Sequence, residues 1–140
     1  MKTVSPLRFL AWGFAFWLSF MVAATLDGVL RMGLIIPVIG DFWGHIVSGL
    51  FMVAVIYAGT WFLLRHIGRP KGDGALWALG LFWGIATVGF ELLIVTVARG
   101  EPASVLWADY HPANILSGNF ILLGIVLMAL APPIMARVMR

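Results

Sequence analysis

Cysteine is absent from the chain, and charge is scarce, with Asp, Glu, Lys and Arg making up 11% of the 140 residues. The first absence excludes disulfides, thiolate metal ligands and thiol redox chemistry. The second excludes an ordinary soluble domain, in which about a quarter of the residues are charged. A glycine-rich phosphate loop is also missing, because RPKGDG (Arg69–Gly74) reads as a turn. Ser48, Ser104 and Ser117 have no flanking pattern of an activated nucleophile.

What is abundant is apolar. The chain is 62% hydrophobic with a mean hydropathy of +1.03, which fits one membrane-embedded, all-α bundle of four spans with no soluble domain beside it. A pI near 10.0 would point to nucleic acid in a soluble protein. Here the basic residues stand at the ends of apolar runs, where anchoring to lipid accounts for them, and no nucleic-acid partner is expected. Seven Trp and ten Phe serve as lipid-facing bulk and interface anchors.

The most informative run is Ala75–Ala98, which contains a single charge, Glu91. At 1.5 Å rise per residue the run crosses a hydrocarbon core and holds Glu91 about 12 Å inside the helix end at Arg99. A carboxylate at that depth is costly, so it is expected to face protein or water rather than lipid. Gly80, Gly84, Thr87 and Glu91 follow 4-3-4 spacing, which places the acid on a stripe of small residues that another helix can approach closely.

In chain order, spans are expected at about 9–30, 42–64, 75–98 and 119–135. The basic start, with Lys2 and Arg8 before an apolar run, has the look of a signal peptide but is read as a retained first span. Asp27 and Arg31 form an i,i+4 pair in the favourable order. Met32–Asp41, broken by Gly33, Pro37 and Gly40, is too short to span and is expected to lie at the interface or dip inward. Asp41 is a candidate N-cap for the second span. His45 begins a face continued by Gly49, Met52, Ile56 and Gly59. The long connection Gly100–Gly118 can open a short interfacial helix after Pro102, with Trp107 and Tyr110 at headgroup level. Pro132-Pro133 is expected to end the last span.

With the N-terminus inside, Lys2, Arg8, Arg65, Arg69, Lys71, Arg137 and Arg140 are cytoplasmic and only Arg31 and Arg99 are outside. The positive-inside rule therefore gives an N-in/C-in bundle. The acids have the opposite bias: Asp27, Asp41, Glu101 and Asp109 fall outside, Glu91 lies in the outer half of its span, and only Asp73 is inside.

Asp27, Arg31, His45 and Glu91 are thus the candidates for an outward-facing solute or ion pocket, set against a structural ion-pair network that fixes helix register. Trp107, Asp109, Tyr110 and His111 are candidates for a partial lid. Asp41 and His45, one helical turn apart, are weak metal candidates without a recognised motif. A haem would need histidines facing each other across helices, and the second span has no second mid-membrane histidine. No cofactor is expected.

LDGVLRMGLIIPVIGD and WADYHPANILSGNFILLGIVLMALAPPIMARVMR resemble segments of a group of small bacterial four-span membrane proteins. In that group an acid- or His-bearing first span ends in Gly-x-x-Arg, a Pro-containing connector follows, and a Trp/Asp/Tyr segment precedes a last span ending in Ala-Pro. The likeness supports the span number and brings no activity with it. Small drug exporters share four spans and a membrane carboxylate, but theirs is in the first span, whereas Glu91 is in the third.

The sequence therefore gives the expectation of a transporter- or channel-like protein of a bacterial-type inner membrane. It would handle a small polar or cationic solute, and it is less readily an enzyme. An accessory or assembly subunit of a larger membrane complex is the alternative. Gly80 and Gly84 carry the expectation of a homo-oligomer, with other membrane subunits as the further possible partners.

Overall fold

The computed structural model describes residues 2–139. Four helices are long and apolar enough to cross a membrane: α1 (Pro6–Ile39), α2 (Asp41–Ile67), α3 (Gly74–Ala98) and α5 (Ile121–Val138). A short helix, α4 (Ala103–Asp109), and a single 3-10 turn, Pro112–Ile115, lie in the connection between α3 and α5. Two short strands, β1 (Thr3–Val4) and β2 (Arg69–Pro70), pair in parallel at the opposite end.

Local chemistry explains how the helices begin and end. Ser5 caps α1 by accepting from the Arg8 amide at 3.4 Å, and Pro6 occupies the first turn, where its missing N–H costs nothing. Contrary to expectation, the segment from Met32 to Ile39 is no irregular connector. It continues α1 through a wider turn at Arg31–Ile35, in which the Ile36 amide bonds to the Arg31 carbonyl. That turn shifts the hydrogen-bond register immediately before Pro37, so the proline sits in the first turn of the segment that follows rather than inside an unbroken ladder. Gly40, at φ +85°, then reverses the chain. The residue preceding α2 is therefore Gly40, and Asp41 is its first helical residue rather than its N-cap.

The last helix departs from expectation in a second way. α5 does not stop at Pro132-Pro133 but runs on to Val138. The two prolines remove the amides that would bond to the Met128 and Ala129 carbonyls. The Ala129 oxygen instead turns toward α3 at Gly80, where a Cβ would overlap it. Gly84 faces the same helix, against the Ala129 methyl and Ile125. At Gly80 and Gly84 the small-residue stripe of α3 is thus occupied by α5 of the same chain.

The core fills the half of the bundle that holds the chain ends. Phe9, Leu63, Leu64, Leu79, Trp83, Ala131 and Ala136 are fully buried there. The Trp83 indole donates to the Gly13 carbonyl at 2.9 Å, so this bulky side chain is both enclosed and satisfied. Arg69 ties the same end together. It forms an ion pair with Asp73 at 2.8 Å and donates to the Ala136 carbonyl at 3.2 Å, while its amide bonds to the Lys2 carbonyl at 2.9 Å. The Ala136 carbonyl belongs to the last turn of α5, where carbonyls take partners from outside the helix. Close packing in this half leaves the opening to the other half.

Candidate functional site

A cavity of about 610 Å³ occupies the end of the bundle opposite the chain termini. Asp27 and Arg31 from α1, Asp41, His45 and Ser48 from α2, Glu91 from α3 and Arg99 just past its end line it, together with Asp109 at the end of α4. All four pocket candidates from the sequence, Asp27, Arg31, His45 and Glu91, therefore face one space. Gly49, Met52 and Ile56 continue the His45 face along the wall as their spacing predicts, whereas Gly59 belongs to the core and meets the Phe20 ring.

The expected Asp27–Arg31 ion pair is replaced by a relay. Ser48 from α2 stands between them: its hydroxyl donates to Asp27 Oδ2, and Arg31 Nη1 donates to the Ser48 Oγ at 3.4 Å. Asp27 is only 7% exposed, so the hydroxyl supplies a donor that a buried carboxylate needs. Ser48 carries no nucleophile pattern that would single it out in the sequence. The signal that finds it is helical spacing, one turn beyond His45 on the cavity face.

Below this relay the floor is hydrogen-bonded across three helices. The Trp17 indole donates to Thr87 Oγ1 at 3.0 Å, and the Thr87 hydroxyl donates to the Met128 sulfur at 3.2 Å. Glu91 lies one turn above Thr87. Among the described residues its carboxylate has neither an ion pair nor a hydrogen bond, and the opposite charges acting on it are those of Arg31 and Arg99. Arg99 is itself engaged at the rim by Glu101, at 2.8 Å.

The connection over the cavity divides the four lid candidates. Asp109 lines the cavity and accepts from Asn119 Nδ2 at 3.5 Å. The Tyr110 hydroxyl is buried and, among the described residues, lacks a hydrogen-bond partner. Its pKa is pushed up to about 12, first by burial and then by the negative charges of Glu91 and Asp109. Trp107, 54% exposed, stacks edge-on against Tyr110 at 5.9 Å on the outer surface. His111 is exposed, and its Nδ1 accepts from the Ala113 amide to start the 3-10 turn. Two of the four thus face inward and two do not.

His45 Nδ1 lies 2.8 Å from the Asp41 carbonyl oxygen and 3.6 Å from its carboxylate. Among the described residues no group of three His, Asp or Glu side chains is placed to hold a metal ion, so this pair has no third ligand of those types. The cavity walls carry four carboxylates against two guanidiniums, a formal net charge of −2 with every carboxylate counted as ionised and the imidazole as neutral.

No protein-family model, curated protein or solved structure matches the chain.

Proposed function

We propose that the protein binds and passes a small polar or cationic solute through this cavity. In this reading the cavity opens on the outer face of a bacterial-type inner membrane and both chain ends lie in the cytoplasm. The observation that carries the reading is Glu91, a carboxylate within a membrane-length helix that faces a polar cavity and has no ion pair among the described residues. An intramembrane acid that served only to fix helix register would be paired, because an unpaired buried charge is destabilising. The net negative lining favours a cation over an anion, since walls of one sign concentrate the opposite ion in a cleft. Six of the eight described basic residues lie at the end opposite the cavity, which supports the cytoplasmic side by the positive-inside rule.

Reconstitution of the full chain in liposomes tests this reading, with cation uptake measured for the native protein and for Glu91→Gln. The expected result is uptake by the protein alone and its loss on substitution, with the melting temperature little changed. Uptake unaffected by the substitution would remove Glu91 from the pathway. No uptake, together with fixed-ratio co-purification with other membrane chains, would favour the accessory-subunit role instead.

A further inference from the structure

Next to the polar cavity lies a second, apolar groove of about 350 Å³ on the outside of the α1–α3 seam, lined by Leu18, Met21, Val22, Thr25, Leu26 and Phe90. Met21 is 5% exposed and lines both spaces, so at this point the wall between them is one side chain thick. On α3 the division falls between neighbours in sequence, with Phe90 facing the groove and Glu91 the cavity. The groove's one hydroxyl, on Thr25, is consumed by the Met21 carbonyl at 2.9 Å, which leaves the lining without a free donor. Leu18, Val22 and Leu26 are about half exposed or more on the outer surface of a membrane-length helix, where a bilayer offers hydrocarbon and nothing else.

We infer that the solute is a cationic amphiphile, which seats its charged head against Glu91 and Asp27 in the cavity and its alkyl tail in the α1–α3 groove past Met21. The inference rests on the proposed function and narrows it to a substrate class. Methionine suits such a partition, because its unbranched side chain and three rotatable bonds let it swing without leaving a strained rotamer. The negative lining selects the head, and the apolar groove selects the tail. Access is then lateral, from the bilayer, and needs no wide opening through the connection that holds Tyr110.

The test is a matched pair of probes, tetramethylammonium and decyltrimethylammonium, titrated calorimetrically into the full chain in phosphatidylcholine nanodiscs, with empty nanodiscs subtracted. The decyl compound is expected to bind at least about ten-fold tighter, since burial of about two methylene groups is enough for that factor. Leu18→Trp, which fills the groove from its exposed side at a position that does not line the cavity, should cancel most of this gain while leaving tetramethylammonium binding within about two-fold. Val22→Trp, at a second exposed groove position outside the cavity lining, gives the same reading should the Leu18 change disturb the bundle. Equal affinities for the two probes, or a gain that survives both substitutions, would overturn the amphiphile assignment and leave the cation reading standing. Failure of both probes to bind would overturn both.

Discussion

The Ala129 carbonyl oxygen, deprived of its helical donor by Pro133, rests against the Cα of Gly80 in the space a side chain would occupy. A backbone break in one helix and a missing side chain in the other are therefore parts of the same contact. This contact lets α3 and α5 approach closely, and they form the most extensive helix pair of the bundle.

Gly80→Ala is expected to destabilise the protein by about 1–3 kcal/mol, because the added methyl meets backbone that cannot rotate away. Gly89→Ala is the control. It lies in the same helix with nothing within 4 Å of the added carbon, and should stabilise by about 0.5–1 kcal/mol through helix propensity. Thermal melting of both variants in one detergent decides the matter, and equal shifts would refute the close-contact account.

Ser48→Ala leaves the Asp27 carboxylate buried without its donor and is expected to cost about 1–3 kcal/mol. Asp27→Leu in the same chain removes the orphaned charge, so the double variant should be more stable than the two single losses predict. A double-mutant cycle on melting temperature measures the coupling. Simple additivity would mean the relay contributes nothing as a unit.

Arg69→Ala should lower stability by about 1 kcal/mol, since it loses one exposed ion pair and one bond to a helix-terminal carbonyl. Salt separates the two contributions. The Asp73 pair is screened at high ionic strength, whereas the bond to the Ala136 carbonyl is not. Melting curves with and without salt should therefore leave a residual difference between native protein and variant. Arg69→Lys should keep the first contribution and lose most of the second.

Tyr110 should ionise about two units above an ordinary phenol. The sign follows from burial favouring the neutral form. Its folded-state contribution is complete below pH 10 and is lost as the pH rises toward 12. The chain has two tyrosines, so an ultraviolet titration of Tyr110→Phe isolates Tyr57, and the difference from the native curve is the Tyr110 step. A midpoint near 10 for that step would mean that Tyr110 is solvated.

Much of the architecture was legible in residue order. The run from Ala75 to Ala98 gave α3 to within one residue, and the short helix after Pro102 was readable from a proline followed by helix formers. Helix ends were less legible at prolines. Pro37 and Pro132-Pro133 each read as a break because a proline lacks an amide, yet a shifted hydrogen-bond register in one case and a neighbour's glycine in the other let the helix continue. The site was legible as a set of residues but not as a set of contacts. Asp27, Arg31, His45 and Glu91 could be assigned to one end of the bundle by counting along spans. Spacing within α1 paired Asp27 with Arg31, but it gave no sign of a hydroxyl arriving from α2.

The sequence by itself determined the solvent and the polarity of the ends. Four runs are long and apolar enough to cross a membrane, and most acids at one end with most bases at the other need no neighbour to be seen. Only the tertiary structure decided which polar groups are spent and which are left over. Ser48 donates to Asp27, Glu101 engages Arg99, α5 takes up Gly80 and Gly84 of α3, and Glu91 faces the cavity with no ion pair or hydrogen bond among the described residues. Hydrogen bonds and ion pairs reach only a few ångströms, so which of them form depends on how separate helices are brought together.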